Sequence, residues 1–227
     1  MSSELKEQSA GATRTEVTAG RGMLVVVSSP SGGGKGTLIR RALKIVPNLG
    51  YSVSFTTRAP REGEVDGTHY FFVAEEKFRR MIEAGEFLEW ALVHGNLYGT
   101  ALTQVERERA AGRDIILEID VQGAASVRRL AQDATSVFIL PPSFEVLKAR
   151  LSARGTEREE DLSLRLRNAL GEVEQYREFQ YVVINDDAER AAGLLASIIH
   201  AERARRERQE EEARLVLASF RREAPAD

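Results

Sequence analysis

The stretch that decides the fold is residues 23–37, which read Met23-Leu24-Val25-Val26-Val27-Ser28-Ser29-Pro30-Ser31-Gly32-Gly33-Gly34-Lys35-Gly36-Thr37. An apolar, strand-forming run ends in a turn of small residues, and a helix-forming run starts at Thr37. A strand, turn and helix in this order point successive backbone N–H groups into one concavity, where the helix dipole and a lysine ammonium favour a polyphosphate. The stretch therefore predicts a nucleotide-binding loop.

The loop matches the P-loop pattern G-x-x-x-x-G-K-[ST] with two departures. Ser29 replaces the first glycine, and Gly36 replaces the hydroxyl residue that P-loop proteins place on Mg²⁺. A metal must then be held through water, by Thr37 or by acidic residues elsewhere. The alternative is an ordinary strand-to-helix turn with a solvated lysine, which three consecutive glycines before Lys35 make the weaker interpretation.

Composition restricts the class of protein. The chain has 227 residues, 42% hydrophobic and 30% charged, enough for one domain with insertions or two small ones. It has no cysteine and three scattered histidines, so any metal should be a hard ion on oxygen ligands. A net charge of −3 argues against a broad nucleic-acid surface. With no membrane-length apolar run and no secretory signal, we expect no membrane partner and a cytoplasmic location.

The order of apolar and helical segments predicts an α/β fold with a parallel sheet flanked by helices. Residues 1–20 are polar and predict a disordered leader. The core is expected over 21–50 and 101–227. Strands are predicted at 23–29, 115–119, 136–140 and 181–184, and helices at 36–46, 123–131, 143–153 and after Asp187.

Three segments depart from this alternation. Residues 51–100 hold most of the aromatics and predict an inserted mixed α+β subdomain. A charged, glycine-hinged segment predicts a mobile helical lid over about 143–170. The C-terminal charge run predicts a solvated helix face. The apolar cluster Leu215, Val216, Leu217 and Phe220 is expected to pack back on the core, with a homo-oligomer contact as the alternative.

Residues 54–70 carry two arginines, Arg58 and Arg61, followed by a glycine turn and Tyr70. Two guanidinium groups three residues apart can grip a phosphate dianion by paired hydrogen bonds. Taken alone, the segment is equally compatible with ordinary surface arginines.

Seven segments in order resemble the guanylate kinase family over about 22–200. Besides the P-loop they are Ser54–Tyr70 (SFTTRxPRxGExxGxxY), Phe87-Leu88-Glu89-Trp90, Gly95-Asn96-Leu97-Tyr98-Gly99-Thr100, Glu118-Ile119-Asp120-Val121-Gln122-Gly123, Arg154-Gly155-Thr156-Glu157 and Asn185-Asp186-Asp187. The resemblance implies a P-loop NTPase-type core with a GMP-binding insertion at 51–100 and an arginine lid. It also implies transfer of the γ-phosphoryl group of ATP to GMP with Mg²⁺, which supplies GDP for GTP and dGTP synthesis.

The resemblance also implies roles for residues at matching positions. Lys35, Arg58, Arg154 and Arg165 would act on the transferring phosphoryl group. The ATP-binding residues would be Ser29, Pro30, Ser31, Gly32, Gly33, Gly34, Lys35, Gly36, Thr37 and Asn185. The GMP-binding residues would be Ser54, Arg58, Arg61, Glu64, Tyr70, Glu89, Tyr98, Thr100 and Asp120.

Within that set, Ser54, Glu89 and Thr100 would read the guanine base. A carboxylate accepts hydrogen bonds from guanine N1–H and N2–H₂ that adenine does not offer, so an unpaired Glu89 would penalise AMP by a few kcal/mol. Asp120 and Glu118 would hold Mg²⁺ through water. The family often has aspartate where Glu118 stands, and Asp120 is alternatively a helix cap.

Two other functions remain open from the sequence. Guanylate kinase-like domains that bind peptides resemble the GMP half but generally have degraded phosphate loops, whereas Lys35, Arg154 and Arg165 are present here. A kinase with AMP as acceptor is suggested by Gly36-Thr37, because adenylate kinases share the sequence GKGT.

Overall fold

The computed structural model describes residues 20–93, 95–153 and 159–223, without the side chains of 159–165 and 223. The strands in these ranges are β1 Leu24–Ser28, β2 Leu49–Tyr51, β3 Phe55–Thr56, β4 Phe71–Phe72, β5 Phe87–Val93, β6 Asn96–Ala101, β7 Asp114–Glu118, β8 Thr135–Leu140 and β9 Tyr181–Ile184. The helices are α1 Lys35–Ile45, α2 Glu75–Glu83, α3 Leu102–Ala110, α4 Val121–Leu130, α5 Phe144–Ser152, α6 Glu159–Glu174, α7 Ala188–Arg203 and α8 Arg206–Glu223, with a 3-10 turn at Gln175–Glu178.

The main sheet has five parallel strands in the order β2-β7-β1-β8-β9. Its central strand, β1, is buried at every residue, which is why its sequence is continuously apolar rather than alternating. The P-loop leaves the carboxyl end of β1 and leads into α1. The predicted parallel core is confirmed.

Apolar side chains cover both faces of this sheet. On one face, β1 side chains such as Val25 and Val27 pack with Leu38 and Ile39 of α1 and with Leu195 of α7. On the other face, Leu24 and Val26 of the same strand pack with residues of α3 and α4. Because β1 is packed on both faces, the P-loop that follows it is held in position at the edge of the sheet.

A second sheet, in the order β4-β3-β6-β5, lies between β2 and α3 in the sequence. Its pairs are antiparallel except for β3 with β4. Stacked rings hold it together, with centroids 4.7 Å apart for Phe55 and Phe71 and 4.5 Å apart for Phe78 and Phe87. This sheet is the mixed α+β insertion that the concentration of aromatics predicts.

Several elements agree closely with the sequence predictions, and one prediction is wrong. Strand β9 spans 181–184 as expected, and α7 begins after Asp187, whose carboxylate accepts from the N–H groups of Glu189 and Arg190. The apolar cluster of α8 does not pack back on the core, because every residue from 211 to 222 is exposed. The predicted leader lies outside the described residues, apart from Gly20. In the described residues, no helix is both long and apolar enough to cross a membrane.

Candidate active site

The P-loop has a backbone that glycine alone accommodates at two positions. Gly32 and Gly34 have φ values of +83° and +91°, in the left-handed region that side chains disfavour. A Cβ atom on Gly34 would also lie 2.4 Å from the Nδ2 atom of Asn185. Gly34 precedes the first residue of α1, so the N–H groups of the helix start open into the loop. The loop is thus shaped to bind an anion at a helix N-terminus.

Three side chains from distant segments hold the loop from behind. The Nδ2 group of Asn185 donates to the Gly33 carbonyl at 2.8 Å, and Arg150 donates to the Asn185 carbonyl at 2.9 Å. A carboxylate oxygen of Glu172 in α6 accepts from the Ser31 N–H at 2.8 Å. Helices α5 and α6 are therefore both hydrogen-bonded to the loop, through Arg150 and Glu172.

Two cavities adjoin at the carboxyl edge of the main sheet. The larger, about 530 Å³, is lined by the P-loop together with Arg61 and Glu64. The smaller, about 180 Å³, opens toward the second sheet and is lined by Ser54, Tyr70, Glu89, Tyr98 and Asp120, among others. Lys35, Tyr70 and Glu118 line both cavities. A group passed between ligands in the two cavities would cross this junction.

Glu89 is the buried acid of the smaller cavity, with 6% of its surface exposed. A β-bulge between Phe87 and Glu89 sets Glu89 opposite Thr100 in β6, and the Thr100 hydroxyl donates to its carboxylate at 2.6 Å. Burial raises the pKa of Glu89 to about 7; the Thr100 hydrogen bond partly offsets this, and the charge of Asp120 adds to it. This carboxylate is therefore a buried acceptor that costs free energy when it is ionised and unpaired.

A glycine in α4 makes room for that carboxylate. A Cβ atom on Gly123 would lie 2.5 Å from an oxygen of Glu89. The Gly123 N–H itself donates at 2.8 Å to Asp120, which is the N-cap of α4. Asp120 thus serves as the helix cap, the alternative considered for it, and also lines the cavity. Its other oxygen accepts from the side-chain amide of Gln122 at 3.2 Å.

Arg58 is held in place by an acid and two rings. Its guanidinium donates to both oxygens of Glu64 at 2.8 and 2.9 Å and lies 5.4 Å from the centroid of Tyr70 and 5.7 Å from that of Phe72. The ion pair raises the pKa of Arg58 and lowers that of Glu64. Glu64 also accepts from the Arg61 N–H at 2.7 Å, so it joins the two predicted phosphate-binding arginines.

Glu118 is an acidic side chain that lies beside the start of α1, where the P-loop ends. A Cβ atom on Gly36 would lie 3.1 Å from an oxygen of Glu118, so a side-chain-free residue lets this longer acid approach the loop. The Tyr51 hydroxyl donates to Glu118 at 3.3 Å, and burial together with the Glu118 charge raises the pKa of Tyr51. The carboxylate oxygens of Glu118 would be suitable ligands for a hard ion such as Mg²⁺. The described residues contain no cluster of three or more potential metal ligands, so phosphate oxygens and water would complete the coordination.

The structure brings most of the predicted residues together around the two cavities. Thr100 reaches the site through Glu89, and Asn185 lies behind the P-loop with a buried Oδ1 atom that has no partner among the described residues. Arg154 lies outside the described residues, and so does the side chain of Arg165, whose backbone is part of α6.

Sequence reasoning did not identify three supporting residues. These are Arg150, Glu172 and Gly123, and each acts through a contact that joins distant parts of the chain. The only local signal was for Gly123, which stands inside the segment that resembles the family motif. Glu172 lies in a charged helix with nothing in its neighbourhood to distinguish it.

The parallel fold, the P-loop and the adjoining cavity with its buried carboxylate define the class, a P-loop protein of the nucleotide kinase type. A sequence model described as guanylate kinase matches residues 21–202. The chain therefore belongs to the guanylate kinase family.

Individual relatives agree with this assignment. The chain is 48% identical over 184 residues to a guanylate kinase of Geobacter sulfurreducens, a match that covers 81% of this chain and 91% of the relative. It is 50% identical over 185 residues to a guanylate kinase of Symbiobacterium thermophilum, covering 82% and 88%. The crystal structure of guanylate kinase from Anaplasma phagocytophilum superimposes with a TM-score of 0.72 at 35% identity, covering 83% and 90% of the two chains.

Proposed function

We propose that the protein is an ATP:GMP phosphotransferase that transfers the γ-phosphoryl group of ATP to GMP, giving ADP and GDP. The product would feed GTP and dGTP synthesis. The observation that carries the choice of acceptor is the buried Glu89 carboxylate beside Thr100 in a cavity that meets the P-loop.

Guanine can supply hydrogen-bond donors to this carboxylate. The N1–H and N2–H₂ groups of guanine donate to a carboxylate, whereas the corresponding edge of adenine presents an acceptor at N1. Adenine would offer no N–H donor from its N1 position to the buried Glu89 carboxylate, at a cost of a few kcal/mol. Ser54 lines the same cavity and Thr100 orients Glu89, which supports the three residues as the base-reading set.

The phosphate of GMP would lie toward Arg58, Arg61, Tyr70 and Tyr98. Rings and Glu64 fix Arg58, so little side-chain entropy is lost when its guanidinium binds a phosphate. The acceptor oxygen belongs to a phosphate that is already ionised at neutral pH, so the reaction needs no general base. The site would therefore promote the reaction by aligning the two phosphate groups and neutralising their charge at the junction of the cavities.

On the ATP side, the P-loop amides and Lys35 would hold the β- and γ-phosphates. Arg154 and Arg165 of the lid, about 143–170, would neutralise charge on the transferring group and exclude water. Asn185 would support ATP binding by holding the Gly33 carbonyl of the loop through its Nδ2 group. We propose 51–100 as the GMP-binding insertion and the remainder of 21–227 as the P-loop core.

Mg²⁺, when bound, would supply charge neutralisation at the phosphates of ATP. Glu118 is the residue we propose to hold it, directly or through water, with Asp120 contributing through water. Gly36 supports this role for Glu118, because a side chain at position 36 would crowd the carboxylate. We further propose that the enzyme works in the cytoplasm on small nucleotides, with no nucleic-acid or membrane partner.

The test is to follow the label from γ-³²P-ATP in the presence of GMP and Mg²⁺. The proposal predicts that the label moves into GDP and that ADP appears in equal amount. Release of labelled inorganic phosphate without labelled GDP would contradict it. The variant Glu118→Gln should require more Mg²⁺ for half-maximal rate than wild type does, and an unchanged requirement would remove Glu118 from the metal site.

A further inference from the structure

The C-terminal helix α8 shows an apolar face that nothing in the described chain covers. Leu217 and Phe220 are 48% and 70% exposed, and every residue from 211 to 222 is exposed. The family match ends at residue 202, before α8 begins, so the chemistry of the family does not account for this helix. Most of the stability of helices in proteins comes from packing of an apolar face, so a covering partner would stabilise α8.

The start of α8 is fixed to the core. Arg208 donates to the Asp133 carbonyl at 3.3 Å, and the Gln209 amide donates to the Arg203 carbonyl at 3.0 Å. Arg203 in turn pairs with Asp114 of β7 at 2.7 Å. These contacts attach the first turn of α8, whereas its second half is exposed to solvent.

The apolar residues form one stripe. At 3.6 residues per turn, Ala213, Val216, Leu217 and Phe220 fall within about 100° of the helix circumference, whereas Leu215 lies roughly on the opposite side from them. The stripe is therefore a face on which a second helix can pack, and Leu215 is outside that face.

Charge along α8 indicates what would cover the stripe. Residues 206–214 of α8 contain four glutamates and three arginines, and residues 215–223 contain two arginines and one glutamate, so the first half has a net negative charge and the second a net positive charge. A parallel pair of α8 helices would align like charges, whereas an antiparallel pair aligns the acidic half of each helix with the basic half of the other. We propose that α8 of a second copy of this chain covers the stripe, packed antiparallel.

The register follows from the stripe. Centring the pair between Val216 and Leu217 sets Ala213 opposite Phe220 of the other copy. It also brings Glu210 close to Arg221 of the other helix, on the same flank of the interface. The stripe has four apolar residues, far fewer than the roughly 20–30 residues that each partner contributes to a standard interface, so the dimer should be weak and concentration-dependent.

A matched pair of substitutions tests the stripe in the full-length chain. Sedimentation velocity over a wide concentration range should show monomer converting to dimer for the wild type and for Leu215→Glu. Leu217→Glu should remain monomeric at the concentrations where the wild type is dimeric. A wild type that stays monomeric up to several hundred micromolar, or equal loss in both variants, would overturn the proposal. Kinase activity of dilute Leu217→Glu protein should match wild type, which separates this test from the proposed catalytic function.

Cross-linking tests the orientation, because the same charges also complement the dipole of a lone helix. The chain has no cysteine, so single-cysteine variants give unambiguous products. Mixing Glu210→Cys with Arg221→Cys and adding a short bismaleimide should give the mixed 210–221 product in excess over either homodimer. In a parallel pair the two positions are about 16 Å apart along the axis. Predominant 210–210 product, or cross-links from α8 to another surface, would overturn the antiparallel pairing.

Discussion

Replacement of Glu89 by Gln tests the energetic cost of a buried carboxylate. Burial raises the pKa of this group from 4.5 to about 7, so the folded protein binds a proton that the unfolded chain releases. Stability from the protonated group is fully present below the unfolded pKa and is lost as pH rises through the folded pKa. The full loss is on the order of 3 kcal/mol, and most of it falls between pH 5 and pH 8.

The assay is urea unfolding of wild type and Glu89→Gln at pH 5 and pH 8 without nucleotide. The difference in unfolding free energy between the two proteins should shift by roughly 2–3 kcal/mol in favour of the variant at pH 8. Because glutamine does not titrate, the other ionisable groups cancel in this comparison. A shift below about 0.5 kcal/mol, which is the usual error of additivity, would refute the inference that burial disfavours the ionised form of this carboxylate.

The same pKa governs GMP binding. Guanine should bind the ionised carboxylate, so the dissociation constant for GMP should rise about tenfold per pH unit below pH 7 and level off above it. Calorimetry from pH 5.5 to 8.5 measures this dependence. In Glu89→Gln, GMP binding should be weaker at every pH and should retain only the pH dependence of the GMP phosphate, whose second pKa is about 6, while ATP binding is unchanged.

Three glycine and acid substitutions should separate the two cavities. Gly123→Ala should push Glu89 aside and lower kcat/KM for GMP at least about tenfold, with ATP binding retained; steady-state kinetics with each substrate varied would show this. Gly34→Ala places a side chain at a φ of +91°, at a cost of about 1–3 kcal/mol, and should lower the melting temperature and abolish nucleotide-dependent stabilisation in a thermal shift assay. Glu172→Ala should raise KM for ATP because the Ser31 N–H loses its acceptor, whereas Glu172→Gln should restore most of the affinity; equal effects of the two changes would exclude the hydrogen bond as the cause.

Sequence reasoning performs best where the determinants are contiguous. The buried strand before Ser29 and the glycines of the P-loop are adjacent in the chain, so their apolar run and turn chemistry predict the local structure directly. Helix α3 was not predicted, since its buried side is built from Val105 and Arg109 and lacks an apolar stripe. Arg109 is compatible with burial because it pairs with Asp133 and donates to the Gly22 carbonyl, and both partners are distant in sequence.

For the site as well, features carried by a local motif could be predicted from the sequence, and features that depend on the fold could not. The resemblance located Glu89, but its burial, its bond to Thr100 and its raised pKa depend on a bulge and a cavity that form only in the fold. The contact of Glu172 with Ser31 spans 141 residues and has no local signature. The exposure of Phe220 was also beyond local reasoning, because an apolar stripe predicts a covered face without saying whether the cover comes from the same chain.

The central claim is that GMP is the acceptor and that the P-loop holds ATP. The most direct measurement is a coupled ADP-release assay with ATP and Mg²⁺, offering GMP, AMP, UMP and CMP separately to the wild type and to Lys35→Met. The account predicts ADP release with GMP alone and its loss in the variant. Release with AMP at a comparable rate, or no release with any acceptor from a folded protein, would contradict it.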